Sequence, residues 1–291
     1  MSQSLALVGE SLTPSVTFDV GGTATAPTGT PTVAVTDIAG AAVSTGSVTV
    51  ASTTVSTTIA ARSTPDVLTL AWSATVSGAS RVRRTYVEVV GGEYFSLYDL
   101  RNSDAQRGTV AAARPISDAS KWPAELLAAA RQEAEDEAMD LMGHSCVRRA
   151  SACTVTVGGD GMIRSPFGYV RSIRSATLVN LGPTTLTVTD WEVHGIYADR
   201  IYAPGLCYGD TVQLIIEHGC DGPPAQVSQA CLLRARHVLS RSITNQPETS
   251  ERARPVDGGG VIYLAQPNGA KTGNSWVDAI YARHSTRIGI A

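Results

Sequence analysis

Lysine is nearly missing from this chain: Lys121 and Lys271 are the only two among 23 basic residues, and arginine supplies the rest. There is no cationic excess either, since 26 acidic residues leave a formal charge of -3. That balance excludes a protein that grips nucleic acid by neutralising many phosphates. Aromatic residues make up only 5% and charged residues 17%, against 43% hydrophobic. A chain that apolar is neither wholly disordered nor a coiled-coil rod. No apolar run reaches the roughly 18 residues that a membrane-spanning helix needs. The opening residues Met1 to Gly9 lack the basic segment and long apolar core of a secretory signal, so a cytosol-like compartment is expected. Cys146, Cys153, Cys207, Cys220 and Cys231 then remain thiols; the odd count and the lack of a Cys-x-x-Cys pair agree.

At 291 residues the length favours two domains, and the composition shows where they part. Residues 1–92 are rich in Thr, Ser, Val, Ala and Gly. Alternating apolar positions recur there: Val16, Phe18, Val20; Val33, Val35; Val48, Val50; Val55, Ile59; Leu68, Leu70, Trp72; and Arg81 to Val90. Turn residues separate them, among them Gly21-Gly22, Thr45-Gly46, Pro65-Asp66 and Ser77-Gly78. Short half-buried strands at this spacing predict an all-β sandwich of immunoglobulin-like type, with Trp72 in its core.

After Gly91-Gly92 the pattern turns helical. Ser96 caps a short helix over about 96–103, and Pro123 opens a strong one over about 122–142. Trp122, Leu126, Leu127, Ala130, Ala134, Ala138 and Leu141 form its apolar stripe, while Glu133, Glu135, Asp136, Glu137 and Asp140 form an acidic face. Gly143 suits its stop. A β insert is expected over about 153–219, then helices over about 224–241 and 274–283. The basic cluster Arg234, Arg236, His237, Arg241 lies toward the C-terminal end of the first of these. Thr244 to Gly260 reads as an extended or mobile polar segment. The terminal stretch 284–291 ends in Ile288-Gly-Ile-Ala291, which is apolar enough to dock onto something. The fold class expected is α+β in two domains.

Motifs that carry chemistry are also missing. There is no phosphate-cradling Gly-rich loop, no His-Glu-x-x-His and no nucleophile elbow. Asp190, Glu192 and His194 fall on one strand face and could share a metal, but no fourth ligand can be named, so a solvated strand surface is the expected reading. Glu217 and His218 are neighbours on a strand and point to opposite faces, which favours a structural role over an acid/base pair. His144, Cys146 and Cys153 read as packed side chains, and Arg81, Arg83 and Arg84 as a small basic surface. No enzyme activity, metal or cofactor is expected. An acidic helix face is ordinarily just solvated; its functional alternative is a channel wall along which DNA slides without sticking.

Residues 93–291 resemble the head-to-tail adaptor (connector) proteins of long-tailed phages, especially those of actinobacterial hosts. The resemblance lies in a succession of segments: Phe95 to Arg101, Pro123 to Glu137, Val170 to Arg174, Glu217-His-Gly219 before Pro223-Pro224-Ala-Gln-Val227, Ala230 to Val238, Thr249-Ser-Glu251 and Val277 to Ile280. Cys220 stands where an aromatic residue is expected. The resemblance implies a virion protein that forms a ring, commonly of twelve copies, between the portal and the stopper or tail-completion proteins. Double-stranded DNA passes through such a ring without specific binding, and assembly occurs in the host cytoplasm. Portal or neighbour contacts are expected from Trp276, Tyr281, Ile288 and Ile290. A channel-facing or inter-subunit acidic face is expected from Glu133, Asp136, Glu137 and Asp140. The competing expectation is a surface-binding module whose sandwich recognises a glycan or protein and whose helical part oligomerises it.

Overall fold

The computed structural model describes residues 3–102, 116–180, 182–244, 250–256, 260–265, 272 and 274–286. The chain is mixed α+β and divides into two compact units, one formed by residues 1–92 with 147–221, the other by residues 93–146 with 222–291. The composition shift after residue 92 is therefore a unit boundary. The β segment after residue 147 belongs with the N-terminal strands, not with the helices that flank it in sequence.

The β unit begins with β1 (Gln3–Leu7), β2 (Ser15–Thr17), β3 (Asp19–Val20), β4 (Thr23–Ala24), β5 (Thr28–Thr36), β6 (Thr49–Ala51), β7 (Thr54–Ser56), β8 (Asp66–Val76) and β9 (Ala79–Val90). They form a four-stranded sheet in the order β1-β9-β8-β5, a three-stranded sheet β2-β7-β6 and a small β3-β4 pair. Ser77 and Gly78 both have positive φ, 51° and 79°. A two-residue turn of that kind matches the right-handed twist of the long β8-β9 hairpin. Alternation along β8 buries Leu68, Leu70, Trp72, Ala74 and Val76. These join Val16 and Val55 of the three-stranded sheet in one core with Phe18, Val35 and Ile59. Trp72 has no exposed surface, and its indole N–H donates to Thr85 Oγ1 at 2.8 Å.

The unit continues with β10 (Arg149–Thr156), β11 (Met162–Arg164), β12 (Val170–Leu178), β13 (Thr184–Leu186), β14 (Glu192–His194), β15 (Arg200–Tyr202) and β16 (Thr211–His218). Their sheets run β10-β16-β12-β13 and β11-β15-β14 around a second core that includes Ile163, Ala176, Ile201, Val212, Leu214 and Ile216. Where β9 ends, the Gly91 N–H donates to the Arg148 carbonyl at 2.8 Å. A Cβ at Gly91 would lie 2.7 Å from the Arg148 Cβ, so the close approach requires glycine.

The helical unit contains α1 (Leu97–Asn102), α2 (Ala124–Met142), α3 (Ala225–Thr244), β17 (Ser250–Val256), β18 (Gly260–Ala265) and α4 (Ser275–Arg283). All four expected helices are present, with ends displaced by at most three residues. Within the segment expected to be extended or mobile, Thr244 to Gly260, residues Ser250–Val256 form strand β17, paired antiparallel with β18. Helices α2 and α3 pack on each other, and α1 and α4 pack on both, so α2 is covered by three helices. That accounts for a correction to its acidic face. Glu135, expected on the surface, is 1% exposed, since a helix covered on several sides buries more than the apolar stripe predicts.

Candidate functional site

Helix α1 opens on a reciprocal cap: Ser96 Oγ accepts the Asp99 N–H at 3.0 Å, and the Asp99 carboxylate accepts the Ser96 N–H at 3.2 Å. Helix α2 starts after Pro123, which sits at the cap with extended backbone, and ends at Gly143 in the left-handed conformation (φ 77°), whose N–H reaches Met139 O at 2.8 Å. The carbonyls left over at that end are taken up by the C-terminal segment. The Thr286 N–H donates to Met142 O at 2.9 Å, and the Thr286 and Ser285 hydroxyls donate to the same oxygen, each at 3.2 Å. Ser285 and Thr286 therefore lie at the C-terminal end of α2.

Inside the unit, Glu135 Oε1 accepts the Tyr94 N–H at 3.0 Å and lies 4.0 Å from Arg131 Nε, while Arg131 also pairs with Glu93. Glu137 pairs with Arg234 of α3, and Arg234 Nη1 donates to His237 Nδ1 at 2.6 Å. Burial pushes the Cys231 thiol and the Tyr281 phenol up, so both stay protonated at neutral pH. Asn274 caps α4, its side-chain oxygen accepting from the Trp276 and Val277 N–H groups at 3.0 and 3.3 Å.

The residues singled out in the sequence separate by environment. Glu133 and Asp140 are exposed and Asp136 is half-buried on the outer side of α2. Glu137 is engaged by Arg234 within the chain. Trp276 is 42% exposed on α4, whereas Tyr281, expected on the same docking face, is 1% exposed and packs inside the unit. Ile288 and Ile290 lie outside the described residues. Glu192 and His194 share a face as expected and pair at 3.1 Å, both well exposed, with Asp190 exposed in the turn before them. His144 Nε2 and Cys146 Sγ are 4.0 Å apart and buried, and Cys153 lies on β10 of the other unit. Among the described residues no group of three or more His, Cys, Asp or Glu side chains is placed to hold a metal. Arg83 pairs with Asp19 at 2.9 Å.

Sequence reasoning missed one cluster in the β unit. Two bulges in β12 leave Arg171 and Arg174 as extra residues in its ladder with β16. Arg174 reaches Glu217 at 3.0 Å and Arg171 reaches Asp221 at 2.8 Å. Arg148 Nε donates to the other Glu217 oxygen at 2.6 Å. Burial pushes the Glu217 carboxyl up, but its bonds to Arg148 and Arg174 outweigh this and hold it below its ordinary value. His218 stacks on Phe167 with ring centroids 4.5 Å apart and meets Ser151 Oγ at 3.0 Å. Bulges leave no mark in a single sequence, so nothing signalled this cluster in advance.

Burial, helped by the charge on Arg149 and opposed by Glu217, pushes His218 down to about 4. The unfolded chain takes up that proton near pH 6.5, before the folded chain does, so stability is complete above about 6.5 and declines as the pH falls toward 4. The loss amounts to about 3 kcal/mol. The urea midpoint of the wild type is expected to fall steeply from pH 7 to 4.5, and His218→Gln to flatten that slope. Parallel slopes in the two proteins would show that His218 is not the group responsible.

No protein-family model matches the chain, and no curated protein matches it. Among solved structures, the chain is similar to one in the neck of an empty GTA particle computed with C6 symmetry. The two share 17% identity over 68% of this chain and 93% of that chain, at a TM-score of 0.44.

Proposed function

We propose that the chain is a non-catalytic structural protein of a phage neck: a head-to-tail adaptor that forms a ring, of about twelve copies by the family resemblance, beneath the portal and above the stopper or tail-completion proteins. One observation carries the reading. The segments that resemble the adaptors lie, in chain order, on or beside defined elements: α1, α2, β12, the end of β16, α3 and α4, with Ser250 and Glu251 on β17. The outer acidic residues of α2 suit a wall or a subunit boundary beside DNA that must not stick. The strands before residue 92 are read as an immunoglobulin-like addition, on the strength of two sheets that share the Trp72 core.

Electron microscopy of particles tests the ring, since a closed ring of this chain around the DNA path is expected at the head-to-tail junction. Absence of the chain from the junction would remove the reading. The C-terminal segment is assigned to the portal. Removing residues 287–291 keeps the Thr286 bonds to Met142, so the helical unit is expected to melt as the wild type does while portal capture in a pull-down drops at least tenfold. Undiminished capture would place the portal contact elsewhere.

A further inference from the structure

The geometry points to a specific subunit contact: the outer face of α4 in one copy of this chain docks, parallel, on the outer face of α2 in a second copy. This deepens the ring reading and rests on it. On α2 the exposed residues Leu126, Ala129 and Glu133 follow one another at i, i+3 and i+7, with Asp136 and Asp140 extending the same line. On α4 the exposed residues Trp276, Ala279 and Arg283 have the same spacing. Each stripe therefore lies within one narrow arc of its helix.

The two stripes match in order. An apolar residue comes first, Leu126 at 40% exposure and Trp276 at 42%, each large and left facing water. A small residue follows, Ala129 or Ala279, which lets two helices approach closely. A charge closes each stripe, acidic at Glu133 and basic at Arg283. Laid parallel in this register, Trp276 covers Leu126, alanine faces alanine and Arg283 meets Glu133. An antiparallel arrangement sets Trp276 against the carboxylate and Arg283 against Leu126. Charge complementarity thus selects both the occupant and the direction.

The two faces are different surfaces of one chain, so the contact is head-to-tail, and such contacts close into a ring when the rotation allows. It also assigns Trp276 and Glu133 to the same interface, where the sequence alone marked Trp276 for a portal or neighbour contact and Glu133 for a channel-facing or inter-subunit one.

The test is self-association of the full chain, followed by sedimentation velocity up to several hundred micromolar and by native mass spectrometry. Wild type is expected to form oligomers as concentration rises. Glu133→Arg and Arg283→Glu are each expected to weaken association about tenfold, and the double variant to restore most of it. Trp276→Ala is expected to weaken it at least about thirtyfold. Circular dichroism of every variant, together with the recovery in the double variant, separates a lost contact from a lost fold. A wild type that stays monomeric throughout, single reversals without effect, or a double variant no better than the singles each overturns the contact. If particles nevertheless show a ring at the junction, the adaptor reading stands and the subunits join through other faces.

Discussion

Replacing Glu135 with leucine is expected to destabilise the helical unit by about 3 kcal/mol or more, measured as a shift of its urea transition at pH 7. Glu135 lies on the buried side of α2, where it accepts the Tyr94 N–H at 3.0 Å and faces Arg131. Leucine fills similar space but leaves a buried donor without its acceptor and a buried guanidinium with Glu93 alone beside it. Removing one member of a buried charged arrangement costs more than the arrangement itself contributes. Glu135→Gln keeps the acceptor for Tyr94 and drops only the charge, so about half the loss is expected. If leucine and glutamine behave alike, the hydrogen bond to Tyr94 is not what Glu135 supplies.

Trp72→Ala is expected to destabilise the β unit by about 3–5 kcal/mol, through lost transfer energy plus the cavity left behind. The indole sits on β8 among Phe18, Val35 and Leu70 with no exposed surface, and neighbouring strands paired on both sides of β8 limit collapse of the space. Thr85→Val isolates the polar part of that loss. It leaves the buried indole N–H without the acceptor 2.8 Å away and is expected to cost about 1 kcal/mol. A loss below about 1 kcal/mol for Trp72→Ala would mean that the core does not depend on this side chain, and would weaken the immunoglobulin-like reading with it. In both cases the transition is followed by far-UV circular dichroism, with denaturant slopes compared to detect any change in the unfolded ensemble.

Local signals in the chain are strong where one element decides the outcome. The 3.6-residue spacing of Leu127, Ala130, Ala134 and Ala138 determines that α2 is a helix and which side it buries. Pro123 and Gly143 determine where it starts and stops. Period-two alternation determines the β8-β9 hairpin, and Ser77-Gly78 its turn. The boundary after residue 92 is likewise local, a change of composition that coincides with the end of β9.

The tertiary structure decided everything that needs two distant segments at once. It grouped residues 147–221 with the N-terminal strands, because β10 comes up against β8 and β9 and Arg149 pairs with Glu88, contacts on which sequence separation is silent. It buried Glu135 and Tyr281 and left Leu126 and Trp276 partly exposed, because the four helices cover one another's faces unequally. Finally, it assembled Arg148, Arg174 and Glu217 through bulges whose only signature is the register between strands. A residue's own type and spacing prescribe its preferred local geometry, whereas burial and ion pairing depend on what arrives from elsewhere in the chain.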